Sequence, residues 1–303
     1  MVTKKMKKRM KKKRVTKERV TKKPSPKAFH WTDHEIVEHL VAFAPASAGP
    51  VRARAVLALQ SARQTFPLIC SLIETVSQPL LAPRRIATTF PVGDDAAQLE
   101  ALFQRYGSDK STLHNYHLLY AALLGPKRND PLRLLEIGIG TNNPEIVSTM
   151  GPSGKPGASL RAFRDFCPNA LVFGADFDRR ILFEEERIRT YFVDQTQYSS
   201  FDELSTQISE RTFDLVIDDG LHSPNANIAT MLFALRILRS DGYFIVEDIP
   251  GNALPIWQVV GAVLPEAYRP LIVEAKCGWL FMIQKPRFPA ARRNLRRRNA
   301  QRG

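Results

Sequence analysis

From residue 132 to 143 the chain reads LRLLEIGIGTNN, an apolar run that ends in Glu136 and gives way to Gly138, Gly140 and small polar residues. This is the pattern of a buried parallel strand that stops at its carboxyl end and turns tightly. Four more apolar runs follow, at 170–175, 188–193, 213–217 and 243–246. Apolar residues at helical spacing predict helices over 158–166 and 227–238. Strands alternating with helices predict an α/β fold, a doubly wound, Rossmann-like parallel sheet. Two last runs, 271–275 and 279–283, are separated only by Lys276, Cys277 and Gly278. That gap is too short for a helical crossover, so the pair is predicted to close the sheet as an antiparallel hairpin.

Upstream of this region the spacing is helical. Thr32 to Glu35 has the look of a helix start, and 51–62 and 66–81 repeat apolar residues every three or four positions. The piece YGSDK at 106–110 is a turn, followed by a predicted helix carrying His114, Tyr116, His117 and Tyr120. That helix either folds over the crevice above the first strand or covers a sheet edge with its hydroxyls in water. Residues 144–157 form a long polar insertion with three prolines and three glycines. The plan is therefore a basic tail over 1–30, a helical segment over 31–90, the main domain over 91–285 and a second basic tail over 286–303.

Charge sharpens that plan. Of the net +14, residues 1–27 carry +13 and residues 285–303 carry +8, which leaves −7 for the residues between. The first stretch is low-complexity and self-repelling and is read as disordered. It serves either as an attachment to nucleic acid or an anionic membrane surface, or as a solubilising tail. No aromatic residue interrupts it, so base stacking has no support, and the acidic body disfavours a nucleic-acid substrate. Cys70, Cys167 and Cys277 show neither metal-ligand spacing nor a disulfide framework, which fits a reducing cytoplasm. No uninterrupted run reaches the ~18–20 apolar residues of a membrane span, and no apolar segment follows the charged start as a secretory signal would require. His30, His34 and His39 are either a metal site or scattered surface histidines. A homo-oligomer is compatible with all of these features.

The chemistry lies at the strand ends. Glu136 ends the first strand, Asp176 the second with Asp178 two residues on, and Asp194-Gln195 the third. Asp218-Asp219 ends the fourth and Glu247-Asp248 the fifth. Carboxylates gathered along one sheet edge stand where ligands bind in open α/β folds, and the glycine turn lets a ligand lie against bare main chain. Converging carboxylates repel one another unless a cation or proton intervenes. A hard dication held by three such carboxylates would acidify a bound hydroxyl and fix its oxygen in place. His222, on the same loop as Asp219, is placed to take the proton. The alternative is that these acids end strands and cap helices, with His222 a loop hydrogen-bonder.

In combination, the LEIGIGT turn, the acids after the second and third strands and the hairpin ending resemble the class I S-adenosylmethionine-dependent methyltransferases over roughly residues 100–284. YGSDK, VDQ, DDGLH and VEDI are similar, more narrowly, to the metal-dependent macrolide sugar O-methyltransferases and the cephalosporin-hydroxylase-like group. The resemblance implies that Glu136, Gly138 and Gly140 form the cofactor turn, running beneath the methionine part. It implies that Asp176 binds the ribose, with Asp178 as competing candidate, and that Asp194 and Gln195 sit by the adenine. Asp109 and Lys110 join the cofactor site. The resemblance further implies that Asp219, Glu247 and Asp248 bind magnesium and that Asp219 and His222 are catalytic, His222 as base. The departures are Asn142 at the third glycine position, the insertion and the helical N-terminal part, and they bear on the substrate more than on the cofactor. The expected activity is O-methylation of a hydroxylated small molecule, a sugar or metabolite, with metal assistance. The rival readings are an NAD-type oxidoreductase and an RNA-binding or RNA-modifying methyltransferase that uses the basic tails.

Overall fold

Leu134 and Leu135 are adjacent, yet each belongs to a different apolar core. Successive side chains of a strand face opposite ways, and a sheet covered on both faces buries both sets. The computed structural model describes residues 31–287 except 47, 48, 78 and 211. The basic stretch 1–27, the tail beyond 287 and His30 lie outside the described residues.

By its contacts the chain divides into two units, Met1–Ala62 and Arg63–Gly303. In the first, Thr32 caps helix α1 (Asp33–His39) with a reciprocal pair: Glu35 N–H donates to Thr32 Oγ1 at 3.3 Å and Thr32 N–H donates to Glu35 Oε2 at 2.7 Å. His34 pairs with Glu38 at 3.1 Å, and His39 packs edge-on against Trp31. Helix α2 (Val51–Val76) runs unbroken through Pro67, where two helices were predicted. A single proline removes one hydrogen bond, which a helix of seven turns survives. By length and composition alone α2 is apolar enough to cross a membrane, at a mean hydropathy of 1.2.

The second unit is built on nine strands among the described residues: β1 (Arg84–Arg85), β2 (Arg133–Ile137), β3 (Leu171–Asp176), β4 (Glu184–Glu185), β5 (Ile188–Phe192), β6 (Phe213–Asp218), β7 (Leu238–Ile249), β8 (Leu271–Glu274) and β9 (Trp279–Gln284). Their order is β1-β8-β9-β7-β6-β2-β3-β5-β4. β7, β6, β2, β3 and β5 run parallel, while β9 is antiparallel to both β7 and β8, the predicted hairpin. The short strands β1 and β4 had no readable pattern. β7 runs longer than predicted because Asp241 and Gly242 extend its ladder through the backbone of Lys285.

One face of the sheet packs on α4 (Asp94–Tyr106), α5 (His117–Leu124) and α6 (Ala158–Phe166), which follow the short α3 (Ile86–Thr89). The other packs on α7 (Tyr198–Gln207), α8 (Pro224–Ile237) and α9 (Leu254–Val263). α5 begins only at His117, so His114 and Tyr116 belong to the turn before it. The chain order reverses between β2 and β6, and the crevice above that switch point is where such folds take ligands.

The turn after β2 is tied down by polar contacts. Thr141 Oγ1 donates to Asp178 Oδ2 at 2.6 Å, and the Arg180 guanidinium grips the same carboxylate at 2.7 and 3.0 Å. The Arg180 bonds, with Thr141 helping, hold Asp178 down at about 2, below its ordinary 3.8. A depressed carboxylate contributes stability above its ordinary pKa and loses it as pH falls through the folded value. Asp178→Asn is therefore expected to lose stability above pH ~4 and to converge on the parent toward pH ~2. The loss should stay within about 1 kcal/mol, because Arg180 reaches the carboxylate from solvent. Urea unfolding across that range checks it. Leu135→Ala, in the fully buried middle of β2, should cost about 2–5 kcal/mol at every pH by the same measurement.

Candidate active site

Strand alternation decides where the acids point. On β2, Leu134 and Glu136 face the α4–α6 layer; on β7, Ile245 and Glu247 do the same. Asp219 leaves the end of β6 on that face, while Asp218 turns to the other and accepts from Gln195 at 2.8 Å and Asn227 at 3.0 Å. Glu136, Asp219 and Glu247 thus converge, and Lys110 meets them. Its ammonium lies 2.6 Å from Asp219 Oδ2, 3.1 Å from Glu136 Oε1 and against Glu247 Oε2. Lys110 is only 2% exposed. Burial works against its charge, but Asp219, Glu247 and Glu136 outweigh that and hold it well above its ordinary range. Burial pushes the three acids upward, with Lys110 opposing.

The remaining oxygens are also assigned. Ser159 Oγ donates to Glu136 Oε2 at 2.6 Å, and the Tyr120 hydroxyl donates to Glu247 Oε1. Asp248 breaks the alternation: its φ is +55° and the β7–β9 register slips beside it. Its carboxylate accepts from the Tyr116 hydroxyl at 2.5 Å on Oδ1, with His114 Nε2 3.5 Å from the same oxygen. His114 stacks on Tyr116, and its Nδ1 lies 3.0 Å from the Cys277 carbonyl, an acceptor only, so that nitrogen carries the proton. The oxygens left over, Asp219 Oδ1 and Asp248 Oδ2, lie 3.9 and 4.0 Å from His222 Nε2. Among the described residues Asp219, His222 and Asp248 form the one group of three with ligand atoms within 4.8 Å of each other. Glu247 is not part of it. His222 also sits at positive φ, +54°, and its buried Nδ1 lacks a partner.

Of these groups Lys110, Ser159, Asp219, His222 and Asp248 line a cavity of about 570 Å³ above the switch point. Gly138 and Gly140, both at positive φ, form its floor. A Cβ at Gly138 would lie 2.2 Å from the Asp219 carbonyl oxygen, so only glycine fits there. Asp176 lines the cavity and accepts from the N–H groups of Ile139 and Asp178, each at 2.9 Å. Burial raises its pKa, against those backbone bonds. Asp194 and Gln195 line the far side. Asp194 accepts from the Thr196 N–H and hydroxyl, and Gln195 Oε1 accepts from Leu221 N–H at 2.9 Å, bracing the loop that carries His222. Asp109 stands at the mouth. Asp178 and Glu136 do not reach the cavity wall; the first is held by Arg180, the second lies beneath the floor.

Tyr116, Tyr120 and Ser159 carry contacts that were not assigned from the sequence. The signal for the tyrosines was their place in a segment rich in polar aromatics; their hydroxyls reach Asp248 and Glu247 rather than water. The insertion also proves to be a wall: Glu145, Ile146, Met150 and Lys155 line the cavity. Met150 N–H donates to the Thr141 carbonyl at 2.8 Å, and its side chain covers Gly140.

No family model matches the chain. It is 32% identical over 206 residues to demethylmacrocin O-methyltransferase of Streptomyces fradiae, covering 66% of this chain and 49% of that enzyme. It is 30% identical over 167 residues to 8-demethyl-8-alpha-L-rhamnosyl tetracenomycin-C 2'-O-methyltransferase of Streptomyces olivaceus, covering 55% and 41%. The chain spans about half the length of the curated relatives it matches, or less. Among solved structures it is similar to the MycE methyltransferase from the mycinamycin biosynthetic pathway, in complex with Mg and SAH. The TM-score is 0.50 at 24% identity, over 64% of this chain and 57% of that one. The fold is the Rossmann-like methyltransferase fold.

Proposed function

We propose that this chain is an S-adenosylmethionine-dependent methyltransferase that methylates a hydroxyl of a sugar or other small metabolite with the help of a divalent cation. The observation that carries the reading is one cavity lined by two chemistries: a glycine turn with Asp176, and the cluster of Asp219, His222 and Asp248. The O-methyltransferases to which the chain is similar, and a neighbour solved with Mg and SAH, support it.

The residues present fit both groups. The bare main chain of Gly138 and Gly140 on the cavity lining, with the Asp176 carboxylate beside it, suits a cofactor laid against main chain. Two carboxylate oxygens beside an imidazole suit a small dication, which commonly keeps one or two protein carboxylates and leaves positions for substrate oxygen. When bound, the sulfonium supplies an activated methyl group and the cation a Lewis acid that acidifies the acceptor hydroxyl.

The chain's own residues do the rest. Asp176 receives the ribose hydroxyls, with Gly138 and Gly140 beneath the methionine part. Asp194 and Gln195 flank the adenine, and Asp109 closes the mouth. Asp219 and Asp248 orient the acceptor oxygen toward the methyl, an alignment worth several kcal/mol when tight. His222 takes the hydroxyl proton at Nε2; its position between the two acids stabilises the imidazolium that results. The insertion over 144–157 shapes the acceptor's pocket.

Calorimetric titration with S-adenosylhomocysteine should show binding to the full chain. Asp176→Ala should weaken it by at least about tenfold, one to two lost hydrogen bonds, and by more than Asp178→Asn does. A chain that binds NAD and not S-adenosylhomocysteine would overturn the assignment. With a glycosylated hydroxy acceptor, excess EDTA should abolish methyl transfer and added Mg²⁺ restore it. His222→Ala should lower kcat about 10²- to 10⁴-fold with cofactor binding intact. Undiminished turnover in chelator removes the metal from the mechanism.

A further inference from the structure

We infer that Lys155 is a cofactor-binding residue, its ammonium receiving the α-carboxylate of the methionine part. The inference rests on the cofactor half of the proposed function. It takes one residue of the 144–157 insertion away from the acceptor's pocket and assigns it to the cofactor.

Charge makes the first argument. The cavity is lined by Asp109, Glu145, Asp176, Asp194, Asp219 and Asp248, and by the lysines Lys110 and Lys155. A carboxylate brought into an acid-lined hollow is repelled unless a cation meets it. Lys110 already lies against Asp219, Glu136 and Glu247. Among the described residues the Lys155 ammonium has no hydrogen-bond or ion-pair partner. It is the lining lysine left to meet an incoming anion.

Position makes the second. The insertion is clamped to the glycine turn at two points: Met150 N–H donates to the Thr141 carbonyl and Gly157 N–H to the Ile139 carbonyl, each at 2.8 Å. Lys155 stands two residues before the second clamp, and its own carbonyl accepts from Ala158 N–H at 3.1 Å. Its side chain lies along Gly107, where a Cβ would come within 3.0 Å of Lys155 Cδ and 3.2 Å of Nζ. Gly107 has a φ of +77°, so the turn needs glycine for its backbone and again for the room the lysine takes. Lys155 thus joins the glycine turn to the 107–110 turn. With the ribose on Asp176, the adenine by Asp194 and Gln195 and the methyl facing Asp219, His222 and Asp248, that junction is what remains for the amino-acid end. Asp109, on the same stretch of lining, is an acid suited to the α-ammonium. Opposite charges on one wall are what a zwitterion requires.

The test is calorimetric titration of the full chain with two ligands, folding being checked by circular dichroism. One is S-adenosylhomocysteine; the other is 5'-methylthioadenosine, which keeps the adenosine and the thioether and lacks both the carboxylate and the ammonium. The parent is expected to bind the first more tightly. Lys155→Met, which keeps most of the stem, should weaken S-adenosylhomocysteine by about five- to tenfold and leave methylthioadenosine within about twofold. Lys155→Arg, which keeps the charge, should hold S-adenosylhomocysteine within about threefold of the parent. Asp176→Ala should weaken both ligands by similar factors, because both carry the ribose.

A Lys155→Met change that leaves S-adenosylhomocysteine untouched, or weakens both ligands equally, overturns the inference. So does a parent that binds the two ligands equally, since no group then recognises the carboxylate. If Lys155→Met does not fold, Lys155→Gln is judged by the same comparison. A parent chain that binds neither ligand sinks the cofactor reading itself. That failure is distinct from the one in which the parent binds both, Asp176→Ala loses both and the lysine change is silent.

Discussion

Carboxylates on one face of a buried sheet edge need a countercharge within bonding distance, and the rest of this site depends on how that need is met. β2, β6 and β7 are neighbours or next neighbours in the sheet, and their period of two sends Glu136, Asp219 and Glu247 to the same side. Three anions brought together in low dielectric would drive one another to protonate or drive the edge apart. The Lys110 ammonium sits at their centre and removes that repulsion. Breaking such an arrangement by losing one partner is costlier than never having built it. The turn that carries Lys110 is therefore fixed to the sheet edge by charge, and Tyr116 and Tyr120 ride in with it.

Much of this was legible from the sequence, because strand ends are local events. An apolar run that stops at an acid announces both the strand and the edge where it stops, and the five parallel strands and the hairpin emerge that way. The identity of the rim acids was equally plain. Their division of labour was not. Lys110 and Asp219 are 109 residues apart, and nothing in either neighbourhood announces the other. That Asp176 lines the cavity while Asp178 is paired with Arg180 was not legible either, because the reach of Arg180 back to Asp178 is a side-chain conformation rather than a pattern. Asp248 escaped alternation altogether: its left-handed backbone and the slipped register send its carboxylate where a regular strand would not. The insertion over 144–157 looked like an acceptor loop, and only its packing shows Met150 lying on Gly140.

Two left-handed residues at the same corner carry a further meaning. Non-glycine residues at positive φ are uncommon, and the surrounding structure must hold them there. His222 is held through Leu221, whose N–H Gln195 receives, and Asp248 through Tyr116 and His114. Gln195 is in turn fixed by Asp218 and Thr230 from the opposite face of the sheet. The two residues that face each other across the proposed ion site are thus set by contacts from both helical layers, which makes the corner a product of the whole fold.

The proposed cofactor half and metal half also touch mechanically. The backbone of Asp219 hydrogen-bonds to the Ile137 carbonyl at 2.8 Å, and the space where a Gly138 side chain would stand is filled by the Asp219 carbonyl. The glycine turn and the acid-bearing loop are packed backbone on backbone, with no side chain between them to absorb a shift. Close-packed interiors pass displacement on rather than damping it. A ligand that settles the turn after β2 therefore settles the loop after β6, and the carboxylate that Lys110 grips moves only if both do. In-line transfer needs donor and acceptor registered to a fraction of an ångström. For the proposed transfer, the meeting of the two loops at the switch point is the main-chain contact that would supply that registration.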